Sequence, residues 1–207
     1  MDLIDISRSL SPATAVWPGD QSVERTWTAR LEEGNSVNLS AIHLSAHAGT
    51  HVDAPYHVRN DGDRTDALDL SVLVGPATVI EVTDDTAVRP RHVEGLKTPR
   101  VLFKTEASAL PTDEWPDAIT AIHPDTVSAL DDQGVCLVGT DAPSVDPLDS
   151  TDLSAHHALI DAGIVNLEGL ILADVTPGSY TLLSLPMKLP GGDAAPVRAV
   201  LGDASLL

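Results

Sequence analysis

Residues 46–58 read AHAGTHVDAPYHV. Three of the chain's eight histidines, His47, His51 and His57, fall here together with Asp53. These four polar positions share one parity. In a regular strand they would all face one side, and Ala48, Thr50, Val52, Ala54, Tyr56 and Val58 would pack against a core. A regular strand cannot bring them to a common point, however. At roughly 3.3 Å per residue His47 and His51 would lie about 13 Å apart, whereas the donor atoms of one metal ion sit about 2 Å from it. The spacing therefore predicts a turn between His47 and His51. Gly49 is the residue that makes such a turn inexpensive, and a spacing of four across one turn brings side chains to about 5–6 Å. Beyond His51 the chain should extend again, because a residue preceding a proline is pushed toward extended geometry. Pro55 thus favours a short extended piece that presents His51 and Asp53 on one face.

Two imidazoles and a carboxylate suit zinc, manganese or a similar divalent ion. Three protein ligands leave positions open, the pattern of catalytic rather than structural zinc sites. His57 follows Pro55, so it is expected beside such an ion rather than on it. An imidazole there can shuttle a proton; a surface histidine is the plain alternative. His156, His157 and Glu168 could supply a second half. Adjacent residues of a helix point about 100° apart, so only one of the two histidines is expected to face the site. Glu168 sits in the apolar run VNLEGLIL (165–172), where an unpaired buried carboxylate would be costly.

Working outward, 207 residues suffice for one domain with a sizeable core. The composition, 43% hydrophobic and 21% charged, is that of a globular protein. The formal net charge of −19 repels a phosphate backbone, which excludes nucleic acid and anionic membranes as expected partners. The opening MDLIDISRSL lacks a basic region followed by an apolar stretch, and no apolar run reaches the roughly 18 residues of a membrane span. The single cysteine, Cys136, cannot form an internal disulfide and is expected as a small core residue. A cytoplasmic protein fits these features.

The chain reads as strand-rich. LIDIS (3–7), VNLSAIHL (37–44), GPATVIEVT (75–83), RVLFKT (100–105) and VCLVGT (135–140) have strand character. So do IVNLEGLILADV (164–175), LLSLPMKL (182–189) and PVRAVL (196–201). SPATAVWPGD (11–20) and DAPSVDP (141–147) read as loops. One helix should begin at Pro124 and stop before Gly134. Another should span 150–162, capped by Ser150 or Asp152 and stopped by Gly163. Helices fall between strands in the second half, so the expected fold class is α/β, one compact domain over residues 1–207.

HAGTHVDAPYH (47–57) resembles the signature H-x-G-[TA]-H-x-D-x-P-x-H of the cyclase-like metal hydrolases. The flanking blocks GTDAPSVDP (139–147), AHH (155–157), LEGLILADVTPGSYTLLSLPMKL (167–189) and DAAPVRAVL (193–201) are similar to those of its kynurenine formamidase (arylformamidase) branch. The resemblance covers nearly the whole chain and implies a compact β/β/α domain that pairs into homodimers. It implies two zinc ions per subunit, with manganese or another divalent ion as substitutes. His47, His51 and Asp53 match the ligands of the first ion, and Asp53 would bridge to a second completed by His156 and Glu168. His157 is then left to packing. His57 matches the proton donor and acceptor, and Trp17 matches an aromatic lining the substrate pocket, leaving Trp27 and Trp115 as packing residues. The implied reaction is hydrolysis of an aryl formamide, N-formyl-L-kynurenine, to L-kynurenine and formate in tryptophan degradation. Thr50 departs from the alanine of many formamidases and matches relatives that open cyclic amides, so an isatin-type cyclic-amide hydrolase is the alternative. A non-catalytic metal-binding module is the other.

Overall fold

The computed structural model describes residues 2–204. The apolar, β-branched runs of the sequence become a nine-stranded mixed sheet. In chain order the strands are β1 (Ile4–Asp5), β2 (Glu24–Ala29), β3 (Leu39–His43), β4 (His51–Asp53), β5 (Val74–Glu81), β6 (Ala87–Val88), β7 (Arg100–Lys104) and β8 (Ala121–Ile122). Helix α1 (Pro124–Asp131), β9 (Leu137–Thr140), helix α2 (Ser154–Asp161), β10 (Val165–Glu168), β11 (Gly178–Leu183), β12 (Ala194–Pro196) and β13 (Val200–Asp203) follow, with β2–β3 and β6–β8 lying outside the main sheet as two-stranded pairs. The main sheet runs β1-β13-β11-β5-β7-β9-β10-β4-β12. The pairs β5–β7, β7–β9 and β9–β10 are parallel, as crossover connections require, and the flanking pairs are antiparallel.

Period-two alternation partitions the central strands between two cores. Val101 and Phe103 of β7 and Val138 of β9 join Val127 and Leu130 of α1 and Ala155 and Leu159 of α2. Leu102 and Leu137 face the other way, where Val52, Leu167, Ala195, Leu201 and Ile6 meet them. That second core draws residues from both ends of the strand order, so the sheet curls around it. Main-chain bonds close the curl: Ile6 donates to Ala199 at 3.1 Å, and Ile171 donates to Ile6 at 2.9 Å. The α/β fold class expected from sequence is the one observed.

Several elements differ from expectation. IVNLEGLILADV forms a strand only over Val165–Glu168, because Gly169 turns the chain at φ 67°, and beyond it Leu170 makes a single antiparallel bridge to Ser7. LLSLPMKL overlaps β11 only at its start; Pro186 beyond it has no N–H to give a ladder. PVRAVL divides between β12 and β13. β2 and β3 form a separate antiparallel hairpin whose residues are nearly all exposed. Trp27 therefore does not pack in the core: it is 42% exposed on this hairpin, with the Arg25 and Arg30 guanidinium groups over its ring at 5.5 and 5.0 Å. Cys136 is half-buried, its Sγ 3.2 Å from the Pro99 carbonyl oxygen.

Candidate metal centre

The turn expected between His47 and His51 is present. Gly49 takes the left-handed region at φ 68°, and β4 begins at His51. A Cβ at Gly49 would lie 2.7 Å from Leu10 Cδ2. A Cβ at Gly169, which follows Glu168, would lie 2.3 Å from the Gly49 carbonyl oxygen. Two glycines thus let the turn before β4 and the end of β10 approach closely. Antiparallel register then sets His51 opposite Glu168. His51 and Asp53 share a face of β4, and Ala54 is extended before Pro55 (φ −96°, ψ 154°), as expected. A 3-10 turn over Pro55–His57 brings the His57 ring back, its centroid 4.2 Å from that of His47 and 5.7 Å from that of His156.

Six residues expected at the site converge. His47 Nδ1 lies 3.1 Å and His51 Nε2 3.4 Å from Asp53 Oδ1. His51 Nε2 is 3.3 Å from Glu168 Oε2. His156 Nε2 is 3.5 Å from Asp53 Oδ2 and 3.4 Å from Glu168 Oε1. His51, Asp53, His156 and Glu168 are buried, His47 is half-buried and His57 is the most open of the six, with 31% of its side chain exposed. Between the two helical histidines the structure selects His156; His157 is exposed.

Neighbouring groups orient the imidazoles. His51 Nδ1 sits 3.1 Å from the Gly49 carbonyl oxygen and His156 Nδ1 sits 2.6 Å from Asp146 Oδ2. A proton held at each Nδ1 leaves the lone pair of Nε2 directed into the cluster, the usual arrangement behind a metal-binding histidine. Asn166 Nδ2 donates to Asp53 Oδ2 at 2.9 Å and to Glu168 Oε1 at 2.8 Å, which fixes both carboxylates. His51 Nε2 and Asp53 Oδ1 are buried and have no aligned hydrogen-bond partner. Two buried polar atoms left without partners, among imidazole and carboxylate donors, fit one or two divalent ions. His47, His51 and Asp53 form one compact donor set and Asp53, His57 and His156 another.

The charge distribution agrees. Burial opposes charge on His51 and His156, yet Asp53 and Glu168 draw the first up to about 10, and Asp146, Asp53 and Glu168 draw the second up to about 12. Burial raises Asp53, but the close imidazoles of His156, His47 and His51 outweigh it and hold the carboxyl well below the ordinary range. Buried carboxylates here demand positive charge, whether from protons or from metal. His57, by contrast, is pulled down, chiefly by burial.

Three of these groups have no place in the sequence reading. Asp146 falls in the loop DAPSVDP, yet it accepts bonds from the Ala155 and His156 amides at 2.8 and 3.0 Å and so caps α2. Neither Ser150 nor Asp152 is the cap: the N-cap position is Leu153, held left-handed at φ 45° without a side-chain cap bond. Asn166 carries a signal, since it shares strand parity with Glu168. Asp193 has no local signal; its Oδ2 lies 3.1 Å from His47 Nε2 and 4.0 Å from His57 Nδ1.

A cavity of about 440 Å³ opens onto the cluster. Trp17 lines it, as expected. So does Trp115, which is not a plain packing residue: the two rings meet edge to face with centroids 5.4 Å apart.

Known proteins resemble the chain over nearly its whole length. Residues 4–147 match the Cyclase family model, described as "Putative cyclase". A kynurenine formamidase of Salinibacter ruber is 64% identical, over 99% of each chain. A solved structure described as a potential metal-dependent hydrolase with cyclase activity superimposes with a TM-score of 0.83 at 29% identity, covering 97% of this chain and 96% of that one. An isatin hydrolase bound to thioisatinate shares the fold, with a TM-score of 0.84 at 21% identity over 97% of this chain and 91% of that one. With its signature folded into one buried cluster and likeness running the length of the sequence, the chain belongs to the Cyclase family.

Proposed function

We propose that this chain is a metal-dependent amide hydrolase that converts N-formyl-L-kynurenine to L-kynurenine and formate, through one catalytic domain over residues 1–207. The observation that carries the reading is the buried cluster of His47, His51, Asp53, His156 and Glu168 beneath an aromatic-walled cavity, in a chain 64% identical to a kynurenine formamidase. Those five residues would hold two divalent ions, with zinc the preferred metal for two-imidazole and carboxylate sets. Bound there, such ions supply an activated water and polarise a carbonyl oxygen.

The remaining chemistry belongs to the chain. Trp17 and Trp115 wall the cavity and hold the aryl ring between apolar surfaces. Asp146 keeps the His156 ring in place and Asn166 fixes the two carboxylates. Partial desolvation at the cavity lowers His57 and keeps it neutral near pH 7, the form that accepts a proton. Its Nδ1 turns toward Asp193, so Nε2 is free to take a proton from water and pass it to the departing aniline nitrogen. Water's oxygen joins the formyl carbon as the C–N bond breaks, and the nitrogen leaves as a neutral amine.

We also assign a homodimer, supported by Trp27, Leu31, Val37, Leu39 and Ile42, all more than 40% exposed on and around the β2–β3 hairpin. A cytoplasmic setting suits a chain whose one cysteine has no second to pair with. The test is a substrate panel on one zinc-supplied preparation, with formate release and metal content measured together. Turnover of N-formyl-L-kynurenine is expected. Opening of isatin without it would overturn the substrate assignment.

A further inference from the structure

We infer that Arg8 is the residue that recognises the α-carboxylate of the substrate, an inference that rests on the formamidase reading. Arg8 lines the cavity over the cluster and is half-buried. The other charged non-histidine side chains of that lining, Asp20, Glu114, Asp141 and Glu168, are all acidic. Away from the histidine cluster and the metal it would hold, an anionic ligand entering a protein of net charge −19 therefore meets one favourable side chain in this cavity lining.

The guanidinium is also uncommitted. Among the described residues its side chain takes no hydrogen bond and no ion pair; the bond at this position comes from the backbone. Asp141 is the carboxylate whose charge acts on Arg8, but both its oxygens are engaged. Oδ1 accepts from Thr105 Oγ1 at 2.6 Å. Oδ2 accepts from the Thr105 amide, the Ser108 amide and Ser108 Oγ at 2.7, 3.2 and 2.7 Å. Asp141 exerts only a Coulombic pull on Arg8, against the opposing effect of burial. A half-buried guanidinium with five donors and no protein acceptor is matched by a planar carboxylate, which it grips through two parallel bonds.

Its placement is built rather than incidental. The Arg8 amide donates to Thr50 Oγ1 at 2.8 Å, and that hydroxyl donates to the Gly169 carbonyl oxygen at 2.6 Å. Thr50 precedes His51 and Gly169 follows Glu168, so one hydroxyl ties the Arg8 backbone to both strands that carry the cluster. This gives Thr50 the role of positioning residue for Arg8. N-formyl-L-kynurenine carries an aryl formamide at one end and an amino acid at the other. With the ring against Trp17 and Trp115 and the formyl group at the cluster, its carboxylate is the part left to be bound. The exposed carboxylates of Asp20 and Glu114 at the same cavity suit the ammonium group beside it.

The test compares N-formyl-L-kynurenine with formanilide, which has the formyl amide and ring but no amino acid, in the zinc-loaded enzyme. Arg8→Gln should lower kcat/KM for the first by 10- to 100-fold, chiefly through KM, the range of a hydrogen-bonded charge. The formanilide value should fall less than threefold, and Arg8→Lys should recover part of the loss as a point charge. Inhibition by L-kynurenine should weaken in parallel. An equal loss on both substrates, or an unchanged ratio, overturns the inference. Wild-type enzyme gives a variant-free check: the methyl ester of N-formyl-L-kynurenine should be at least tenfold poorer than the acid, and equal rates overturn the assignment. A wild type that hydrolyses neither formamide overturns the formamidase reading itself, an outcome distinct from a wild type that prefers the acid while Arg8→Gln leaves that preference intact.

Discussion

Asp146→Asn separates the two tasks of the carboxylate behind His156. Asp146 is 1% exposed and accepts three bonds, from the Ala155 amide, the His156 amide and His156 Nδ1. Asparagine keeps the shape but must turn an NH₂ group toward at least one of these donors. At about 1.5–3 kcal/mol for each bond to a charged group, the loss of one or two bonds costs about 1.5–6 kcal/mol. For a chain of this size, with melting shifts of roughly 2–4 °C per kcal/mol, a cost of about 3 kcal/mol lowers the melting temperature by about 6–12 °C. The second effect is on the cluster: His156 loses its fixed Nδ1 proton and orientation, and metal affinity should fall 10- to 100-fold, as for other groups that orient metal-binding histidines. The assays are thermal unfolding in chelator, which isolates the fold, and competition of zinc against a chromophoric chelator, which isolates the site. A variant that melts lower but binds zinc as tightly as the wild type would refute the orienting role and leave Asp146 a helix cap only.

Three further outcomes are expected. His57→Gln should retain its metal content and lose about 10²- to 10⁴-fold in kcat on N-formyl-L-kynurenine; equal turnover would remove His57 from proton transfer. Gly169→Ala should destabilise by more than Gly49→Ala in urea titration. Both positions are left-handed, which strains any other residue by about 1–3 kcal/mol, but the new Cβ at Gly169 strikes backbone at 2.3 Å whereas that at Gly49 strikes the movable end of Leu10; the reverse order would refute the packing described. In metal-free protein His51 and His156 are raised to about 10 and about 12. A raised histidine contributes stability that is full below its unfolded value of 6.5 and is lost as pH rises through the folded value, so their pairing should survive neutral pH and fade above about pH 10. Zinc uptake at pH 7.5 must therefore release protons. Calorimetry in buffers of different ionisation enthalpy should show it, and identical heats would count against those protonated histidines.

The sequence by itself determined the local half of this protein. The spacing of His47, Gly49, His51, Asp53 and Pro55 forces a bend and then an extension, and the structure has both. Strand alternation in RVLFKT and VCLVGT and the proline-started helix at Pro124 are likewise local consequences of side-chain parity and fixed φ. The signature and its flanking blocks pointed to the family, and through it to His156 and Glu168. Tertiary structure decided whatever depends on residues far apart in the chain. Asp146, Asn166 and Asp193 are ordinary polar residues until folding brings them to His156, Asp53 and His47. Trp115 meets Trp17 across 98 positions of chain, and no periodicity could pair them. The reach of a local pattern is one turn or one strand. The orientation of a buried imidazole and the charge on a cavity wall are set by groups whose distance is measured across the fold.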